Sequence, residues 1–226
     1  KTLRRVIREN IPEIKSVAVA DPVIERREEA VLTGLAAYES AEELLEKARP
    51  QIAIIATNPP YHCEQVLMAA EYGCHIFCEK PLALSPEEAD RMVAAVRKAG
   101  VVCTVDFETI FSDSFRVLQV ELHSDGFGRL IRFDAVDKGR PPAYDIETCM
   151  PHFLHAFMIL TGSEPIEVFG RVIVDGRRAT LADVVPIGQL YPQGRTHDIG
   201  VRADTIEATY LLANGVTVRY FLAELD

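Results

Sequence analysis

Residues 51–57 read Gln-Ile-Ala-Ile-Ile-Ala-Thr, with no polar residue between Ile52 and Ala56. A strand without an alternating polar face suits a parallel sheet covered on both sides. Parallel neighbours need crossovers long enough to hold a helix. The surrounding sequence supplies them. Residues 14–21 (IKSVAVAD), 75–78 (HIFC) and 101–105 are further short apolar runs. Between these runs lie helical patterns at 23–32, from Ser40, at 60–72 and at 85–98, and residues 1–10 also carry apolar side chains at helical spacing. Ser40 with Glu43, and Ser85-Pro86-Glu87-Glu88, are capping-box signatures; Gly73 and Gly100 stand where helices end in the left-handed conformation. Strand–helix–strand alternation through residue 106 specifies an α/β domain with a parallel sheet and right-handed crossovers.

The pattern changes after Phe107. A helix is expected at 114–122, a strand at 129–136, a polar, Pro-rich turn at 137–142, and a helix at 151–160 closed by Gly162. Long strands follow at 166–174, 205–213 and 216–223, with Asp175-Gly176 and Asn214-Gly215 as turn signals. This describes a second domain, 107–226, of α+β type with a largely antiparallel sheet.

Charge narrows the function. Thirty-four acidic residues against 24 basic ones give a net charge of −10. Such a surface repels phosphate backbones and anionic lipid, so the expected partner is a small molecule rather than nucleic acid or membrane. Five cysteines without regular spacing read as reduced thiols, which places the protein in the cytoplasm.

The residues that could carry chemistry sit at strand ends. Asp21 closes one strand, where a dinucleotide-binding fold hydrogen-bonds the adenosine ribose; a solvated loop aspartate fits equally well. Thr57-Asn58-Pro59 closes the most apolar strand and opens a helix, in the crevice where open α/β sheets bind ligands. Glu79-Lys80-Pro81 directly follows HIFC and brings an ammonium to the same crevice, with proline fixing the backbone beyond it. Cys149, His152 and His155 are spaced by three, which on a helix puts the two histidines on one face and turns Cys149 about 120° from His155. No metal is expected there, and one histidine as a general acid/base is the better use. His62 and His75 read as satisfied structural histidines, and Lys138 with Arg140 could hold an anionic substrate.

The block IAIIATNPPYHCEQVLMAAEYGCHIFCEKPLALSPEEADRMV resembles the nucleotide-domain signature of the Gfo/Idh/MocA oxidoreductases, the glucose–fructose oxidoreductase and inositol dehydrogenase family, in which Glu-Lys-Pro is a hallmark. KSVAVADP resembles that family's second strand and its acid, and PHFLHAFMILTG its catalytic helix. The resemblance implies a Rossmann-type doubly wound domain followed by an α+β domain whose open sheet makes a homodimer or homotetramer. It implies hydride transfer between NAD, or NADP, and a secondary alcohol or ketone of a sugar, cyclitol or related polyol. Carried over by position, Lys80 and His152 are catalytic, and His155, Glu108 and Lys138 bind substrate. Asp21, Thr57, Asn58, Pro59, His62, Glu79 and Lys80 line the cofactor. Arg26 and Arg27, close to Asp21, leave room for NADP.

The departures lie on the substrate side. The acid expected four residues before the histidine is Thr148, the glycine two before it is Met150, and the acid three after it is His155. A catalytically inactive relative that binds a ligand or supports an assembly is the alternative these changes suggest. The family's first strand and its G-x-G-x-x-G loop are expected ahead of Lys1 in a longer molecule. In the strand order 3-2-1-4-5-6 that strand is central, so the strands ending at Asp21 and Thr57 are expected to flank a gap.

Overall fold

The computed structural model describes residues 11, 13–15, 18–138, 150–186, 199–201 and 203–223. The chain divides into two units, Lys1–Asp106 and Phe107–Asp226. The helix expected over residues 1–10 lies outside the described residues.

In the first unit, β1 (Ala18–Ala20) leads through α1 (Ile24–Leu32) to β2 (Ala36–Tyr38), and the two strands pair in parallel. The β2 strand, only three residues long, had no signal strong enough to be expected. Next, α2 (Ala41–Ala48) leads to β3 (Ile52–Ile55), α3 (His62–Glu71) to β4 (His75–Cys78), and α4 (Pro86–Ala99) to β5 (Cys103–Val105). The last three strands form a parallel sheet in the order β3-β4-β5. The parallel strands therefore form two separate pieces among the described residues, and β1 and β3 are not paired to each other.

Local chemistry explains the helix starts. Ser40 and Ser85 accept hydrogen bonds from the amides of Glu43 and Glu88. The two glutamates reach one residue further back than a capping box requires: Glu43 accepts from the amide of Glu39, and Glu88 from that of Leu84. Gly73 and Gly100 take φ values of 73° and 67°, open to glycine without steric penalty.

The core of this unit gathers Ile55, Ile76 and Cys78 from the strands with Val66, Ala69, Ala70 and Met92 from α3 and α4. Fully burying a side chain the size of Val66 or Met92 contributes roughly 1.5–3 kcal/mol. Cys63, Cys74, Cys78 and Cys103 are free thiols. Burial pushes the Cys78 thiol up to about 12, so it stays protonated. One expectation needs correction. The apolar run at 51–57 is not covered on both faces, because Ile52 and Ile54 are exposed. Among the described residues β3 pairs only with β4, in the order β3-β4-β5.

The second unit opens with a short 3-10 turn, Glu108–Phe111, then α5 (Asp113–Leu122), β6 (Arg132–Lys138), α6 (Met150–Thr161) and β7 (Pro165–Val174). After β8 (Arg177–Arg178), β9 (Val184–Pro186) and β10 (Ile199–Val201) pair antiparallel, and β11 (Thr205–Leu212) and β12 (Thr217–Ala223) complete the unit. Five strands form a sheet in the order β6-β12-β11-β7-β8. It is mixed, since β6 runs parallel to β12 while the other pairs are antiparallel. The turn expected from Asp137 starts later, because pairing with β12 carries β6 through Lys138; residues 139–142 lie outside the described residues.

Alternation along β11 and β12 turns Ile206, Ala208, Tyr210 and Leu212 with Val218, Tyr220 and Leu222 to one buried face. The helix α6 packs there: Phe157 lies 4.9 Å from Phe133 and Phe153 lies 5.7 Å from Tyr220, measured between ring centroids. The other face carries a cross-strand row of Phe169, Thr209, Arg219 and Asp134. Gly170 opposes Ala208, and a Cβ added to it would stand 3.1 Å from the carbonyl oxygen of Glu207.

Arg171 on β7 donates to both carboxylate oxygens of Glu207 on β11, at 2.8 and 2.9 Å. The guanidinium holds that carboxyl below the usual glutamate value. The pair therefore supports folding above the ordinary carboxylate range, and its contribution fades as pH falls through the lowered value. Glu207→Gln is expected to lower the melting temperature slightly at pH 7 in low salt, with the difference vanishing near about pH 2 and in about 1 M salt. An equal difference under all three conditions would remove the ion pair as its cause.

Candidate active site

The first unit places its candidate residues at the carboxyl ends of parallel strands. Asp21 follows β1 directly. Its carboxylate accepts from the amide of Val23 at 2.9 Å and from Arg26 at 3.3 Å. Arg27 is engaged by backbone instead, donating to the carbonyls of Asp21 and Pro22 at 2.8 and 2.9 Å. Thr57 and Asn58 lie exposed just beyond β3, and Thr57 Oγ1 donates to Gln65 at 2.7 Å. Pro59 is buried in the 3-10 turn Pro59–Tyr61.

Beyond β4, the amide of Glu79 donates to Ile55 O, and Glu79 Oε2 accepts from the amide of Lys80 at 3.3 Å. Lys80 is half-buried, and its peptide bond to Pro81 is cis.

His62 joins these two loops. It is fully buried, with Nδ1 2.8 Å from Pro81 O and Nε2 3.1 Å from Thr57 O. Both ring nitrogens are thus occupied by backbone, and the side chain offers a ligand no open edge. What it fixes is the spacing of the loop after β3 from the loop that carries Lys80. His75 is a structural histidine too: Nδ1 accepts from the amide of Val102 at 3.1 Å, which leaves the ring proton on Nε2.

A dinucleotide fits what the strand ends offer. The Asp21 carboxylate has about four acceptor positions and uses two, so ribose hydroxyls can still donate to it. The exposed Thr57 and Asn58 and the half-buried Lys80 cap two adjacent strands at the crevice end of the sheet.

In the second unit, α6 and the turn at Glu108–Phe111 form a cluster. His152 is buried, and its Nδ1 lies 3.4 Å from Oε2 of the exposed Glu108. Phe107 stacks on His155 with ring centroids 4.5 Å apart and meets His152 edge-on at 5.7 Å. Burial lowers the His155 pKa, so that ring is neutral around pH 7. The spacing of three on α6 does bring His152 and His155 to one aromatic neighbour. That neighbour, Phe107, was missed in the sequence; its position directly after the β5 loop and before Glu108 was the available signal. Lys138 ends β6, but its side chain, with Cys149 and Arg140, lies outside the described residues. Among the described residues no three His, Cys, Asp or Glu side chains converge as metal ligands, and no helix is long and apolar enough to cross a membrane.

Residues 2–107 match the family described as oxidoreductase family, NAD-binding Rossmann fold. The chain is 30% identical over 159 residues to myo-inositol 2-dehydrogenase of Thermotoga maritima, covering 66% of this chain and 48% of that protein. It is 31% identical over 172 residues to scyllo-inositol 2-dehydrogenase (NAD(+)) of Bacillus subtilis, covering 71% and 50%. The chain thus spans about half the length of these curated relatives. In fold it is similar to the WlbA dehydrogenase of Bordetella pertussis, solved with NADH and UDP-GlcNAcA, at a TM-score of 0.77 and 20% identity, covering 98% of this chain and 63% of that one. The strand-end residues, the Glu-Lys-Pro loop and these matches together make the chain a member of the Gfo/Idh/MocA oxidoreductase family, with an NAD-binding Rossmann domain in its first half.

Proposed function

We propose that the protein is an NAD(P)-dependent oxidoreductase acting on a secondary alcohol or ketone of a sugar, cyclitol or related polyol. The carrying observation is the set Asp21, Thr57 and Lys80, each at the carboxyl end of a parallel strand in the family's nucleotide domain. Relatives named as inositol dehydrogenases support the substrate class.

A bound nicotinamide supplies the hydride acceptor or donor. The chain's residues do the rest. Asp21 accepts from ribose hydroxyls, and Thr57 and Asn58 flank the dinucleotide. Lys80 holds the substrate oxygen with its ammonium and stabilises negative charge there. His152 takes the hydroxyl proton during oxidation and returns it during reduction. A carboxylate at Asp21, with Arg26 committed to it and Arg27 to backbone, disfavours a 2′-phosphate, so NAD is the proposed cofactor.

The test is fluorescence titration of the full-length protein with NADH and NADPH, followed by turnover on a sugar and cyclitol panel. We expect NADH to bind at least about tenfold more tightly than NADPH, a difference of about 1.4 kcal/mol. No binding of either at millimolar concentration would overturn the assignment. Tight NADH binding without turnover on any substrate would make the protein a binding relative instead. The proposed compartment is the cytoplasm, which suits the four free thiols among the described residues and can be checked by cell fractionation. The proposed assembly is a homodimer or homotetramer through the sheet face that carries Phe169 and Arg219; a monomeric mass by light scattering would exclude it.

A further inference from the structure

We infer that Arg27 is the positioning residue of Asp21, holding its carboxylate for the cofactor's ribose through the peptide unit that joins Pro22 to Val23. The inference rests on the proposed dinucleotide binding and adds a residue to it. Asp21, Pro22 and Val23 are the whole of the loop between β1 and α1. Arg27 Nη1 donates to the carbonyl of Asp21 at 2.8 Å and to that of Pro22 at 2.9 Å, which uses both of its protons. The Pro22 carbonyl and the Val23 amide belong to one planar peptide. That amide donates to Asp21 Oδ1 at 2.9 Å. The peptide is therefore gripped on both edges, its oxygen by Arg27 and its N–H by the carboxylate. Fixing its plane fixes the direction from which Oδ1 is held. A carbonyl that accepts from a cation also makes the N–H of the same peptide a stronger donor.

The surroundings make this grip specific. The amide of Asp21 donates to Tyr38 O at the end of β2, at 3.1 Å, so the sheet holds the residue from the other side. Pro22 has a fixed φ and no N–H, so the freedom left to the loop lies in the rotation of its peptide planes. Among the described residues no amide donates to the Asp21 or Pro22 carbonyl. Val23, at the N-cap of α1, supplies no side-chain cap either. Arg27 is half-buried, whereas the side chain of Arg26 is 69% exposed and reaches Oδ2 at 3.3 Å. Of the two arginines, Arg27 is the one built into the loop. In this role its contribution to the cofactor passes through Asp21 rather than through a phosphate.

The experiment uses full-length protein and two readouts: hydrogen exchange of the Val23 amide in the ligand-free protein, followed by NMR, and fluorescence titration with NADH and NADPH. Arg27→Met removes the donors and keeps the apolar stem. Arg27→Lys keeps the charge and can still donate to the carbonyls. Arg27→Met should speed exchange at Val23 about tenfold. It should also raise the NADH dissociation constant about tenfold, with the NADPH constant within about threefold of wild type, so that the preference for NADH is lost. Arg27→Lys should recover part of both losses, and it carries the test alone if Arg27→Met does not fold. A merely structural role would lower the melting temperature and leave the ratio of the two dissociation constants where it was.

Unchanged exchange at Val23 in both variants would overturn the inference. So would faster exchange with an unchanged ratio of the NADH and NADPH constants, because the loop would then be held to no purpose in binding. A loss for NADPH equal to or larger than that for NADH would overturn it too, since Arg27 would be acting as a charge on the cofactor's phosphates. If the wild-type protein binds neither dinucleotide, the oxidoreductase reading fails separately, and exchange at Val23 still decides whether Arg27 holds the loop.

Discussion

Lys80→Met is expected to lower kcat/KM about a thousandfold while leaving the NADH dissociation constant within about threefold of wild type. Methionine keeps most of the length and apolar bulk of the lysine stem, so the packing beyond β4 is retained and only the charge is lost. Lys80 sits half-buried between the amide contact of Glu79 and the peptide to Pro81, in a loop whose Pro81 carbonyl lies 2.8 Å from the buried His62. A positioned ammonium stabilises a developing negative charge most effectively where little reorganisation is needed, which is the role proposed for Lys80. In the proposed function cofactor affinity rests mainly on Asp21 and Thr57, so turnover and binding are expected to respond differently. Turnover within tenfold of wild type would remove Lys80 from the mechanism.

The largest effect on stability is expected from Leu222→Ala. Leu222 on β12 is 0% exposed and lies in the cluster that joins the sheet to α6. Truncating a leucine there removes transfer energy and leaves a cavity, together costing about 2–5 kcal/mol. A loss of about 3 kcal/mol changes the folding equilibrium by roughly two orders of magnitude, which the midpoint of chemical denaturation reads directly. Leu181→Ala is the control, because Leu181 is 92% exposed and its truncation should stay within about 0.5 kcal/mol. Equal midpoints for the two variants would mean that the sheet–helix core does not limit stability.

The sequence carried the nucleotide domain well because its signals are local. The capping serines 40 and 85, the glycines 73 and 100, and the apolar run at 52–56 each act within one element, and the helices and strands stand close to where they were expected. What failed was non-local. The exposure of Ile52 and Ile54 depends on what packs on that face of the sheet, not on β3 itself. The parallel pairing of β6 with β12 joins strands nearly 80 residues apart and leaves no trace in either. The candidate site divides in the same way. Asp21, Thr57 and Lys80 were legible because strand ends are where such folds place chemistry. The contact of Glu108 with His152 was not, since it arises from a turn and a helix about 40 residues apart.

Gly170 shows how poorly exposure alone measures mutational tolerance. It lies on an exposed stretch of β7, where a survey of surface positions would rank it as freely replaceable. Yet the oxygen that a new side chain would meet belongs to β11, which is paired on both sides and has little freedom to retreat. A library of variants at this position should therefore be depleted like a library at a core position, with alanine already disfavoured, although no side chain is buried there.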